Sequence, residues 1–163
     1  MHTEAFNQFR ELSTEADWPF FDPDYALAPE IREHIRPLTE AAAEEIWRHE
    51  ISQAPLERHV MRLPENHWLK PNQLGPNWLQ EWNSDEGSEV FSFLQANFPI
   101  PSSEPVFFLL MSELAYQIPI GIMAKHWRVF LALDDEGPLV LHSSSGYYAL
   151  FGPNGYLRAG QRR

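Results

Sequence analysis

The chain has 163 residues, of which 44% are hydrophobic and 13% aromatic; it contains no cysteine and carries a formal net charge of −11. This apolar content excludes the disordered class, and the lack of cysteine excludes disulfide frameworks, thiolate zinc sites, iron–sulfur clusters and cysteine nucleophiles. The negative charge disfavours nucleic-acid binding, because it repels phosphate groups.

The first half of the chain predicts helices joined by loops. Apolar residues spaced three and four apart predict a short helix over 3–15. The clearest helix begins after Thr39, a suitable N-cap, and runs to about Ser52. Residues 53–87 contain four prolines and three tryptophans without a sustained period, so they predict a long ordered loop. A second helix is expected to end near Asn97.

The second half predicts a sheet. One or two helical turns are expected between Gly121 and His126, and short turn sequences such as Asn154-Gly155 favour antiparallel neighbours. The predicted strands are 106–111, 127–133, 139–142 and 147–151, with a possible edge strand at 156–158.

The predicted fold class is α+β, with N-terminal helices packed on a C-terminal antiparallel β-meander of four to five strands. We predict a single domain over 1–163, in which 1–100 is mainly helix and loop and 101–163 is mainly antiparallel sheet.

Charge is distributed unevenly along the chain. Residues 1–60 hold 13 acidic and 5 basic residues, whereas residues 101–163 hold 5 of each. An acidic surface attracts a basic partner and speeds the encounter. The alternative is that the charge serves only solubility.

The predicted long loop supplies five candidate partner-binding residues. Trp68, Trp78 and Trp82 provide either an exposed aromatic platform, which would anchor a partner or stack on sugars as in a carbohydrate-binding module, or plugs that hold the loop on the core. Asp85 and Glu86 follow closely and offer carboxylates to a basic partner.

A second acidic candidate is the run Asp134, Asp135 and Glu136. Clustered carboxylates bind Mg²⁺ or Ca²⁺ or share protons, but Asp and Gly are also ordinary turn residues. The spacing of a calcium loop is missing, so no metal is predicted. We interpret the three acids as contacts for a basic protein.

No catalytic residue or cofactor is predicted. His142 precedes three serines, but a nucleophile elbow needs flanking glycines on a strand-to-helix turn. The alternative to a binding module is a small hydrolase or ligand-binding enzyme with a pocket between helices and sheet. It would use Asp134, Asp135 and Glu113, with His126.

Short landmarks in order make the chain similar to an uncharacterised bacterial family of unknown function from about Trp18 to Gly160. The resemblance implies a stand-alone domain and carries no activity. The landmarks are Trp18-Pro19-Phe20, Ile35-Arg36-Pro37-Leu38, Ala43-Glu44-Glu45-Ile46-Trp47, Trp82-Asn83-Ser84-Asp85-Glu86, Trp127 through Phe130, Asp134-Asp135 and Gly137-Pro138-Leu139.

Size, charge and layout also resemble the small acidic immunity proteins that neutralise toxins in the bacterial cytoplasm. We therefore predict a non-enzymatic protein-interaction module that binds another protein, a basic one, in the cytoplasm. No signal sequence or membrane-spanning run is recognised, and neither nucleic acid nor membrane is an expected partner. The sequence does not indicate an oligomeric state.

Overall fold

A seven-stranded antiparallel sheet organises the molecule, with strand order β1-β4-β3-β5-β6-β7-β2. The computed structural model describes residues 8–69, 73–84, 88–134, 137–152 and 154–162. The strands are β1 (Arg36–Pro37), β2 (Gln73–Asn77), β3 (Pro105–Met111), β4 (Leu114–Pro119), β5 (Leu139–Leu141), β6 (Tyr147–Phe151) and β7 (Tyr156–Gln161).

Short helices cover the sheet. The α-helices are α1 (Pro29–Arg32), α2 (Glu40–Ile46), α3 (Trp78–Trp82), α4 (Glu89–Asn97), α5 (Ile120–Lys125) and α6 (Trp127–Leu131). A π-helical turn, Trp47–Ile51, continues α2, and 3₁₀ helices lie at Trp18–Phe21 and Val60–Arg62.

The sheet is buried on both faces, which explains why its central strand is a continuous apolar run rather than an alternating one. Along β3, Val106, Phe108 and Leu110 belong to a first core, which also contains residues of α3, α4, α5 and α6. Phe107 and Leu109 belong to a second core on the opposite face, with residues of α2 and the π-turn. Successive side chains alternate between the two cores because the strand period is two.

The α+β class is confirmed, but the predicted layout is wrong in two respects. The sheet has seven strands rather than four to five. The strands that were not predicted are β1, β2 and β4. The helices are not confined to the N-terminal half, since α5 and α6 lie between strands β4 and β5. Only β5, β6 and β7 form a run of successive neighbours as in a meander.

The predicted strand 127–133 is a helix, α6, over Trp127–Leu131. Trp127, Val129, Phe130 and Leu131 are all buried in the first core. Only Arg128 of its five residues is polar and partly exposed, so the sequence of this short helix resembles a buried strand.

The predicted loop 53–87 contains regular structure. Its described part includes the 3₁₀ helix Val60–Arg62, strand β2 and helix α3. Pro76 lies in β2, which pairs only with β7 at one end of the sheet, and proline is tolerated in such an edge strand.

Two predicted helices are confirmed and one is wrong. Thr39 is the N-cap of α2, where its hydroxyl accepts the N–H of Ala42 at 3.2 Å, and α4 ends at Asn97 as predicted. In the predicted helix 3–15, residues 3–7 lie outside the described part. The described remainder is not helical, because Phe9 forms a β-bridge with Leu38.

Candidate functional site

A pocket of about 550 Å³ lies on the first-core side of the sheet, and we call it the aromatic pocket. Four of its described lining residues are aromatic and one is a carboxylate. The lining is Trp18, Tyr25, Trp78, Leu79, Trp82, Leu131, Ala132, Leu133 and Asp134. Its volume is within the range of roughly 300–1,000 Å³ that is typical of ligand pockets.

Helix α3 supplies three of these residues, and local capping explains where it begins. The side chain of Asn77 accepts the N–H of Gln80 at 2.9 Å, as an N-cap does. One turn of helix then places Trp78 against the core, where it is 2% exposed, and leaves Leu79 42% exposed. Trp82 is half-buried.

Trp78 is held in place by two contacts. Its indole Nε1–H donates to the carbonyl of Gly152 at 2.9 Å, and its ring meets Phe151 edge-to-face with centroids 6.0 Å apart. A buried indole with its N–H satisfied is a stable wall for a pocket.

Glu81 joins α3 to α4. Its Oε1 accepts the backbone N–H groups of Glu89 and Val90 at 3.0 and 3.2 Å, which satisfies donors at the start of α4. Its buried Oε2 has no hydrogen-bond partner and lies 4.0 Å from Nη2 of Arg128. Nη2 of Arg128 also donates to the carbonyls of Glu81 and Ser84 at 2.9 and 3.3 Å.

The remaining walls come from two other parts of the chain. Trp18 begins a 3₁₀ helix and is 46% exposed, so it presents an indole to solvent beside the pocket. Tyr25 is half-buried, and burial, followed by the nearby carboxylates of Asp22 and Asp24, raises the pKa of its hydroxyl. This part of the pocket is therefore both aromatic and electronegative.

Asp134 is the one carboxylate among the described lining residues. It follows the end of α6, and its Oδ2 lies 3.7 Å from Nε2 of His59. Both side chains are 19% exposed. The carboxylate is thus partly desolvated but still reachable from solvent.

The structure brings Trp78 and Trp82 of helix α3 together with Asp134, which is distant from them in sequence, in one pocket. It does not bring Trp68 to them. Trp68 packs on the second core, where its ring meets Tyr148 edge-to-face at 5.0 Å. The other four predicted contact residues, Asp85, Glu86, Asp135 and Glu136, lie outside the described residues.

Sequence reasoning missed Trp18, Tyr25 and Leu79 as pocket residues. Trp18 was noted only in the landmark Trp18-Pro19-Phe20. An indole next to a proline and two aspartates, Asp22 and Asp24, was the available signal for an exposed aromatic site.

Glu113 and His126, two residues of the predicted alternative site, are not among the described lining residues of the aromatic pocket. Glu113 is paired with Arg58 at 2.7 Å, and this contact contributes most to a lowered Glu113 pKa. Burial and then the charge of Lys125 lower the pKa of His126, which favours its neutral form.

A second polar cluster surrounds His142. Its Nδ1 lies 2.5 Å from Oγ of Ser145, and its Nε2 lies 3.1 Å from Oε1 of Glu104. Oγ of Ser145 also accepts the N–H of Tyr147 at 3.3 Å, within the same turn. The contacts of Ser145 are typical of a turn stabilised by its own side chains, whereas Glu104 reaches His142 from outside that turn, 38 residues earlier in the chain.

Two features are absent from the described residues, a metal site and a membrane-spanning helix. No group of three or more histidine, aspartate or glutamate side chains is placed to hold a metal ion. Within the same residues, no helix combines the length and apolar character needed to cross a membrane.

Comparison with known proteins identifies a family. Residues 9–160 match the family described as "Protein of unknown function (DUF2947)". This confirms the resemblance to an uncharacterised family. Neither a curated protein nor a solved structure matches the chain.

Proposed function

The chain belongs to the DUF2947 family of proteins of unknown function, and we propose that it is a non-enzymatic protein-interaction module that binds a basic partner through the aromatic pocket. One observation carries this proposal. The aromatic pocket has two exposed apolar side chains, Trp18 and Leu79, and a carboxylate, in a protein of net charge −11.

Exposed aromatic and apolar side chains at a concave surface are typical of interaction sites, and tryptophan is enriched among residues that dominate binding energy. The negative charge of the chain adds long-range attraction for a basic protein. Charge attraction speeds association with the partner, and the apolar side chains slow its dissociation.

The polar groups of the pocket support binding rather than catalysis. Among its described lining residues, only Tyr25 and Asp134 are titratable. Burial raises the pKa of Tyr25, so it stays a neutral phenol near pH 7. Within this described lining, a carboxylate and a neutral phenol are the only titratable groups, and His59, which contacts Asp134, is not part of it. We therefore favour binding over hydrolysis.

The proposal includes two finer predictions from the sequence. One is a cytoplasmic location, and the other is an immunity-like role in which the basic partner is a toxin. Both rest on size, charge and layout, and the identity of the partner tests them.

The test is a comparison of two matched double variants. Trp18→Ala with Leu79→Ala removes exposed apolar groups from the pocket. Leu56→Ala with Met61→Ala removes groups that are 81% and 54% exposed outside it. The partner is captured from the native cell, identified, purified and measured against each variant by calorimetry.

We expect the pocket variant to bind the purified partner at least about tenfold more weakly, the loss expected for a hot-spot side chain. We expect the control variant to bind as wild type does, and affinity to fall as salt increases. Equal binding by the two variants, or an acidic partner, would contradict the proposal.

A further inference from the structure

We infer that the aromatic pocket receives an arginine side chain of the partner, with its guanidinium against the indole rings and paired with Asp134. This inference rests on the proposed function and names the group that the pocket recognises. It follows from the rings, the carboxylate and the charge around them.

The lining of the pocket is complementary to a cation. Its rings are Trp18, Tyr25, Trp78 and Trp82, and the faces of such rings attract cations, tryptophan most strongly. No arginine, lysine or histidine is among its described lining residues, whereas Asp134 is. A neutral apolar ligand would use the rings but leave the carboxylate without a role.

The surroundings strengthen this preference. Asp22 and Asp24 are close enough to Tyr25 to contribute to its raised pKa, after burial, which is the largest cause. Two acidic residues therefore lie in the same turn as Tyr25, where the N–H of Tyr25 donates to the carbonyl of Asp22 at 3.1 Å, in a segment separate from that of Asp134. Since these acidic residues and Asp134 come from separate segments, the negative potential extends beyond a single side chain.

The protein already holds one of its own arginines in this way. Nη1 and Nη2 of Arg10 bind the two carboxylate oxygens of Asp17 at 2.7 and 2.8 Å. The same guanidinium lies over the ring of Tyr116, 5.9 Å from its centroid. A carboxylate and an aromatic ring thus share one guanidinium in this fold, as we infer for the pocket.

Arginine suits the pocket better than lysine. A guanidinium is planar, stacks on aromatic rings and is more weakly hydrated than an ammonium group. Two further pairs in the molecule show this geometry, with Arg128 4.8 Å from the centroid of Trp127 and Arg162 4.9 Å from that of Trp68.

The incoming guanidinium has to share Asp134 with the groups that already contact this carboxylate, His59 among them. The 3.7 Å separation of Nε2 and Oδ2 is longer than the roughly 2.7–2.9 Å of a charge-assisted hydrogen bond. A guanidinium that forms such a bond would therefore gain the stronger contact with this carboxylate.

The experiment uses the full chain and three small probes: N-acetyl-arginine methylamide, its lysine equivalent and its citrulline equivalent. Citrulline has nearly the shape of arginine but no charge. The six tryptophans are followed by their indole NMR signals, assigned with single Trp→Phe variants. Each probe is titrated into wild type, Asp134→Asn and Glu65→Gln.

Glu65→Gln is the matched control, because it removes one negative charge from an exposed residue that does not line the pocket. We expect the arginine probe to shift the signals of Trp18, Trp78 and Trp82 and to leave that of Trp68 unchanged. It should bind about fivefold more tightly than the citrulline probe, the size expected of a partly exposed ion pair. The lysine probe should bind between them.

Asp134→Asn should abolish the preference for arginine over citrulline, and Glu65→Gln should keep it. Asp134→Glu retains the charge and should restore part of the preference for arginine. That result would show that the preference lost in Asp134→Asn is not lost through misfolding. Equal binding of arginine and citrulline, or a preference that survives in Asp134→Asn, would overturn the inference. The proposed function would still stand if substitution of Trp18 and Leu79 weakened binding of the purified partner.

Discussion

The indole N–H of Trp78 donates a 2.9 Å hydrogen bond to the carbonyl of Gly152, which lies 74 residues further along the chain. The bond ties helix α3 to the end of strand β6. Because α3 also carries Leu79 and Trp82, this contact sets where the aromatic pocket lies relative to the sheet.

Trp78→Phe should therefore destabilise the fold. The substitution removes the indole donor, so the carbonyl of Gly152 keeps only the N–H of Gly155 at 3.0 Å, and the smaller ring leaves a gap in the core. We expect the two losses together to cost about 1–3 kcal/mol. The free energy of unfolding from urea titration measures the loss. Trp18→Phe, at an exposed position, should change stability by no more than about 0.5 kcal/mol. Similar losses in the two variants would contradict this account of Trp78.

Gly146 should not tolerate alanine. Its φ is +80°, and an added Cβ would lie 2.5 Å from the carbonyl oxygen of Arg162. Gly137 has a φ of +95° but would meet its nearest atoms at 3.6 Å, so it shares the backbone strain without the clash. Gly137→Ala should cost about 1–2 kcal/mol and Gly146→Ala clearly more. Equal melting temperatures would show that the turn relaxes.

Much of the fold follows from local signals in the sequence. The cap at Thr39 placed α2, and apolar runs with turn residues between them placed β3, β5, β6 and β7. These signals are local, since each depends on a few neighbouring residues. They succeed because capping, turn formation and side-chain alternation act over the same short distance.

The errors have a physical cause in tertiary structure. Trp127–Leu131 is a helix because it is surrounded by the first core, and its sequence alone suits a buried strand equally well. Strand β2 contains Gly75 and Pro76 and forms only because β7 offers it an edge. In both segments the partners decide the structure, and those partners are distant in sequence.

The residues of the aromatic pocket also divide into those that a local pattern brings together and those that tertiary packing brings together. Trp78 and Trp82 share one helix, and their proximity follows from the 3.6-residue period. Asp134 joins them only because α6 packs beside α3 on one face of the sheet. Trp68 lies on the opposite face, a separation that no local pattern indicates.

Glu81 should be required for an ordered start of α4. Glu81→Ala removes the acceptor of two backbone N–H groups and should cost about 1–3 kcal/mol. Hydrogen exchange gives a local measurement, since the amides of Glu89 and Val90 should lose protection before the amides of β3 do. Glu81→Gln keeps an oxygen acceptor and should retain most of that protection. Unchanged exchange in Glu81→Ala would show that the contact is not needed.

Asp17 should make the fold sensitive to acid. It is fully buried and accepts hydrogen bonds from Arg10, from the N–H of Ser13 at 2.8 Å and from the hydroxyl of Tyr116. Burial alone would raise its pKa, but the hydrogen bonds from Arg10, Tyr116 and Ser13 outweigh burial and lower the pKa below its ordinary value.

A carboxyl group whose pKa is lower in the folded state stabilises that state fully above its unfolded pKa of about 3.9. The contribution decreases as pH falls through the folded pKa, because protonation then favours the unfolded chain. We therefore expect the contribution of Asp17 to the free energy of unfolding to stay constant near neutral pH and to decline below about pH 4.

Asp17→Asn should lower stability at pH 7 by roughly 3 kcal/mol, the lower end expected for breaking a buried pair, since Arg10 remains partly exposed. It should also flatten the decline below pH 4, because the titrating group is gone. Urea unfolding between pH 3 and pH 7 measures both effects, with Glu65→Gln as the exposed control. A variant as acid-sensitive as wild type would show that other carboxylates, and not Asp17, set the response to acid.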